Sequence, residues 1–90
     1  MKKAIITVIG KDKVGITYGV TKILAENNIN ILDISQTILQ GMFTMMMIVD
    51  IENASGSFDA IAANLESGGK SLGVDIKIQL ESIFESMHRI

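Results

Sequence analysis

Apolar and polar positions follow two different periods along this chain, and the switches between them outline its elements. From Ala4 to Ile9 the sequence reads Ala-Ile-Ile-Thr-Val-Ile. It is rich in β-branched residues and apolar at both parities, which predicts a central strand. Ile16, Val20, Ile23 and Leu24 then fall at i, i+4, i+7 and i+8, the stripe of an amphipathic helix. Asn27 and Asn28 suit its C-terminal turn. A second strand is predicted from Asn30 to Leu39, with Leu32, Ile34 and Ile38 on one face and Asp33, Ser35 and Thr37 on the other. Gln40-Gly41 reads as a tight turn, and Met42 to Ile51 as a third strand. Phe43, Met45, Met47, Val49 and Ile51 line one of its faces. Met46 and Ile48 make the other face apolar too, so this strand should also be central.

Asn53-Ala54-Ser55-Gly56-Ser57 is a loop, with Ser57 placed to cap a second helix and Asp59 near that helix's positive end. Phe58, Ile61, Ala62 and Leu65 form its buried stripe, and Gly68-Gly69 should weaken or end it. Val74, Ile76, Ile78 and Leu80 alternate with Asp75, Lys77, Gln79 and Glu81, the pattern of a half-buried edge strand. Ile83, Phe84, Met87 and Ile90 predict a short amphipathic C-terminal helix. The order is βαββαβ plus that helix. It specifies a single α+β domain over residues 1–90 of ferredoxin-like form, a four-stranded antiparallel sheet with two helices on one face. The first and third strands should be central. The other sheet face would then show Met46, Ile48 and alternate residues of the first strand to water, and such a patch calls for a cover. The C-terminal helix and a second copy of the chain are both expected to contribute, so a homodimer or higher homo-oligomer is expected.

Composition narrows the function. Of the 90 residues, 48% are hydrophobic and 20% charged, enough apolar side chains for one core. The net charge of −2, without a basic block, argues against a nucleic-acid partner. Without cysteine there is no thiolate metal site and no thiol nucleophile. The apolar run after Met1-Lys2-Lys3 is too short for a signal peptide or a membrane span, so no membrane partner and a cytoplasmic location are expected.

The chemistry concentrates in Gly10-Lys11-Asp12-Lys13-Val14-Gly15-Ile16, between the first strand and the first helix. Gly10 should end the strand and Gly15 open the helix. The N–H groups of a first helical turn lack intrahelical partners, and the helix dipole adds positive charge there, so a carboxylate or phosphate can dock. Glycine at 15 removes the Cβ that would block close approach, and Asp12 offers an acceptor for an ammonium group. A free α-amino acid carries both charges. The plainer alternative is that the glycines serve backbone geometry and Asp12 faces solvent. Neither P-loop nor dinucleotide spacing is present, and no cofactor is expected.

From Gly10 onward, "GKDKVGITYGVTKILAENNINILDISQTI" resembles the start of an ACT domain. The likeness spans the chain. It is nearest in kind to the small stand-alone ACT proteins of prokaryotes, which carry a similar "TMMM" third strand, and extends to the ACT modules of the glycine cleavage repressor group. The resemblance implies a ligand-sensing βαββαβ module that pairs with a second domain and binds a small ligand, often an amino acid, between the two. Carried over, Asp12, Val14, Gly15 and Ile16 form one wall, and Asn30 and Ile31 of the neighbour form the other. Many ligand-binding members have proline where this chain has Val14, and asparagine where it has Asp12.

Other candidates are weaker. Met42, Met45, Met46 and Met47 cannot converge on one metal ion, because alternate strand residues point to opposite faces; they read as adaptable core. His88 is the only histidine and has no second imidazole to form a ligand set. Ser35, Ser55 and Ser57 lack a base, and no acids are paired as at a cleft, so no catalytic residue is expected. Two functional readings stay open: a regulatory sensor of an amino acid at a homodimer interface, and a ligand-free oligomerisation module acting on a partner enzyme or regulator. A third is an anion site at Gly15 for a phosphorylated metabolite.

Overall fold

The structure, a computed structural model, describes residues 1–82. The elements are β1 (Lys3–Lys11), α1 (Ile16–Glu26), β2 (Asn30–Leu39), β3 (Met42–Asp50), α2 (Phe58–Leu72) and β4 (Val74–Leu80). The four strands form one antiparallel sheet in the order β2-β3-β1-β4. This is the expected ferredoxin-like arrangement, with β1 and β3 central and β2 and β4 at the edges. The predicted C-terminal helix, carrying Ile83, Phe84, Met87 and Ile90, lies outside the described residues.

Register decides which side chains meet the helices. Ala4, Ile6 and Val8 of β1 stand beside Val49, Met47 and Met45 of β3 and are fully buried. α1 contributes Ile16, Val20 and Leu24, and α2 contributes Ile61 and Leu65. Burying one such aliphatic side chain stabilises the fold by about 1.5–3 kcal/mol. The methionine run splits as its parity requires: Met45 and Met47 are buried, whereas Met42 and Met46 lie on the open face.

Local signals set the ends of the elements. Asn27 caps the C-terminus of α1, its Nδ2 donating to the Ile23 carbonyl at 2.8 Å, and Asn28 turns the chain with φ 56°. Gln40 and Gly41 both have positive φ (51° and 79°), the signature of a two-residue hairpin turn matched to strand twist. Ser57 Oγ accepts the Ala60 N–H at 3.2 Å, and Gly73 closes α2 in the left-handed region.

Three expectations need correcting. Gly10 does not end β1, which continues to Lys11; Gly10 pairs with Phe43 and Val74. Gly68-Gly69 does not end α2, which runs on to Leu72. The pair is there for contact: a Cβ on Gly68 would collide with Ile23 Cδ1 of α1, and one on Gly69 would lie 2.7 Å from the Val74 carbonyl oxygen. Finally, β2 does not alternate evenly. A bulge between Ile31 and Asp33 puts Ile31 opposite Val49 and Ile34 opposite Met47, so both lie on the helix side, and Leu32 falls within the irregularity.

The obstacle above Gly69 is backbone, so it has little room to move. Gly69→Ala is therefore expected to destabilise the domain by about 1–3 kcal/mol despite alanine's better helix propensity. A urea denaturation midpoint at or above wild type would contradict this packing.

Candidate functional site

One backbone hydrogen bond ties the segment between β1 and α1 to the rest of the fold. The Asp12 N–H donates to the Gly41 carbonyl at 2.7 Å, tying the turn to the β2–β3 hairpin. Lys13 Nζ reaches the C-terminus of α2, 3.0 Å from where a Cβ on Gly73 would stand. A cation there meets the negative end of the helix dipole. Beyond Asp12 and Lys13, Val14 is fully exposed, and Gly15 is the N-cap of α1 with φ 95° and ψ −1°.

That cap leaves the helix start open. No side chain caps α1, and its first turn holds no acidic residue. The first helical bond runs from the Gly19 N–H to the Gly15 carbonyl at 2.9 Å. The preceding N–H groups carry the positive end of the dipole towards solvent. Beneath them Ile16 is buried and fixes the helix to the sheet. Nothing lies within 4 Å of a Cβ built on Gly15, so within the chain this glycine answers to its positive φ and not to crowding. Thr17 Oγ1 stands 3.4 Å from Gln36 Oε1, which places the start of α1 over the middle of β2.

Asn30 and Ile31 sit elsewhere. Asn30 opens β2 opposite Asp50, exposed, and Ile31 is half-buried opposite Val49. The Asp12–Gly41 hydrogen bond places the turn at the other end of β2, beside Leu39. Ten residues of strand span about 30 Å. One copy of the chain thus brings Asp12, Val14, Gly15 and Ile16 together, but not with Asn30 and Ile31.

Around Asn30 lie groups that sequence reasoning missed. Asn30 lines a cavity of about 260 Å³ with Ala25, Asn28, Ile29, Asp50 and Asn53. Asn28 Nδ2 donates to the Asn53 carbonyl at 2.8 Å, and Asp50 Oδ1 accepts the Glu52 N–H at 3.0 Å. The repeated asparagines of "ENNIN" were the available signal for Asn28; nothing in the sequence marks Asp50 or Asn53 as its neighbours. Among the described residues no group of three or more His, Cys, Asp or Glu could hold a metal ion. None of their helices is long and apolar enough to cross a membrane.

The sequence model of the ACT domain matches residues 2–79, nearly the whole chain. The chain belongs to the ACT domain family. It is 62% identical to a UPF0237 protein of Clostridium acetobutylicum, over 98% of this chain and 99% of that one. Among solved structures it is similar to an ACT domain protein from Streptococcus pneumoniae, 48% identical, with a TM-score of 0.82 over 93% of this chain and 94% of that one. A protein described as a candidate glycine cleavage system transcriptional repressor shares the fold, at 22% identity and a TM-score of 0.64, over 88% of this chain and 45% of its own. Membership in the ACT family suggests a regulatory role in binding small molecules.

Because Gly15 holds a left-handed conformation, Gly15→Ala is expected to lose about 1–2 kcal/mol of stability, and Gly15→Asn less. Equal urea midpoints for wild type and Gly15→Ala would show that the turn relaxes freely to negative φ.

Proposed function

We propose that this ACT protein is a non-enzymatic, cytoplasmic regulatory module that senses an α-amino acid at the interface of a homodimer. The observation that carries the reading is the separation of the two half-sites along β2. An antiparallel partner strand laid against β2 would bring the partner's Asn30 towards this copy's Leu39, next to the turn bonded to Gly41.

The edges of the sheet favour that pairing. β4 is guarded by Asp75 and Lys77, charges that discourage strand addition. β2 has one charge, Asp33, and exposes Leu32, Ile34, Ile38 and Leu39. Val14, before α1, and Tyr18, within it, are also exposed. In the dimer the N–H groups at the start of α1 would receive the ligand carboxylate and Asp12 its ammonium group. Asn30 and Ile31 of the second copy would close the site.

A second reading has two observations behind it. Val14 stands where many ligand-binding relatives have a rigid proline, and the cavities found among the described residues lie away from this turn. On that reading the domain is a ligand-free oligomerisation module that docks on a partner protein.

Thermal unfolding against a panel of amino acids separates the two. A ligand at about 100 times its Kd adds about 2.7 kcal/mol, a rise of several degrees in Tm for a domain of this size. Because Gly15 variants disturb the backbone, the placement is tested at Asp12→Ala and Asn30→Ala. Each alone is expected to lose the shift. A refolded equal mixture should recover about a quarter of the sites, since half of the dimers pair the two variants and each of those holds one intact site. No shift with any amino acid favours the interaction module. A shift that survives both substitutions moves the ligand away from this site.

A further inference from the structure

The half-site that Asn30 contributes is more than one side chain. Asn30 is one wall of a cavity of about 260 Å³, and Ala25, Asn28, Ile29, Asp50 and Asn53 are the others. Sites for drug-sized molecules run from about 300 to 1,000 Å³, so this one suits a single amino-acid side chain. Its lining has an apolar part, Ala25 and the buried Ile29, and a polar part, the three asparagines and Asp50. The one charge is negative and unpaired. No salt bridge among the described residues engages Asp50, and the N-terminal ammonium group, whose field Asp50 shares, is held by Glu52 at 2.7 Å. Asp50 Oδ1 accepts the N–H groups of Lys2 at 3.3 Å and Glu52 at 3.0 Å, which leaves Oδ2 without a partner among the described residues. The side-chain amides of Asn30 and Asn53 make no hydrogen bond among those residues either.

We infer that this cavity selects amino acids with a long basic side chain, of the arginine or lysine type. The inference rests on the reading of the dimer as an amino-acid sensor. In that dimer the main chain of the ligand lies on the turn of one copy, and the partner's Asn30 reaches it from the other side. Ala25 belongs to α1, so the cavity has a wall in the helix layer, where the turn leads. The ligand side chain then enters the cavity of the second copy. Its methylene stem lies on Ala25 and Ile29, and its cationic head meets Asp50 Oδ2. The side-chain oxygens of Asn28, Asn30 and Asn53 are acceptors for its remaining N–H groups. An acidic side chain would meet Asp50 as a like charge, with no cation in the lining to offset it. An apolar one would strip water from the carboxylate and the amides without replacing their hydrogen bonds.

The test is calorimetric titration of the full chain with each standard amino acid, repeated on two variants. Asp50→Asn keeps an oxygen for the Lys2 and Glu52 N–H groups and removes the charge. Asn53→Asp, at an exposed position, adds a second charge to the lining. L-arginine or L-lysine is expected to bind at least about tenfold more tightly than L-leucine, L-glutamine or L-glutamate. Asp50→Asn should remove that preference, and Asn53→Asp should tighten binding of the basic ligands severalfold. A tighter fit for any other side-chain class would overturn the inference and leave the amino-acid reading standing. So would a basic preference that neither variant alters. If no amino acid binds, the reading beneath the inference falls, and the inference falls with it.

Discussion

Ile6, Val8, Met45 and Met47 have no exposed surface, and all four lie on the one sheet face that α1 and α2 cover. This one-sided burial constrains everything else. Two helices must lie side by side over a narrow sheet, close enough to exclude water. Glycine at 68 lets α1 approach α2, and glycine at 69 lets α2 approach β4. A helix propensity loss of about 1 kcal/mol per glycine is offset by the contacts that closeness allows. Among the described residues, the same arrangement leaves one face and both edges of the sheet uncovered by helices.

Much of this was readable because one physical rule governed each stretch. The two-sided apolar runs of β1 and β3 mark central strands, although the helices bury only one parity of each, and Ile9 and Met46 on the other face stay exposed. The alternation of β4 marks an edge. Ser57, Asn27 and Gln40-Gly41 were legible because capping and hairpin geometry depend on a few adjacent residues. The misreadings have the opposite character. Gly68-Gly69 looks like a helix stop when judged by propensity, and becomes a contact surface only when Ile23 and the Val74 carbonyl, far away in sequence, are present. The bulge at Ile31–Asp33 shifts the parity of β2 through its pairing with β3, and no feature of β2 alone announces it. Gly10 was misplaced for the same reason. Its role lies in pairing with Phe43 and Val74, not in local turn geometry.

The candidate site divides in the same way. The turn at Asp12–Ile16 is local, and its glycine, charges and following helical stripe made it conspicuous. The structure adds its support, which is not local: the Gly41 carbonyl on the hairpin. The association of Asn28, Asp50 and Asn53 around Asn30 depends on three chain segments meeting at one end of the sheet, so only the fold could disclose it.

The hydrogen bond from Asp12 to Gly41 has a consequence for regulation. It joins the turn to the hairpin that ends β2, the strand whose edge the proposed dimer would use. In that arrangement the ligand contacts both copies and binds the dimer better than the monomer. Linkage then requires reciprocity: whatever factor dimerisation adds to ligand affinity, the ligand adds to dimer affinity. A rigid turn would transmit this with little loss, because its geometry would be the same in both states. In the proposed dimer, Val14 in place of proline would leave the turn less rigid, and part of the binding energy would then go to ordering it. Such a chain would trade affinity for a larger difference between its free and bound states, and a difference between states is what a regulatory module needs.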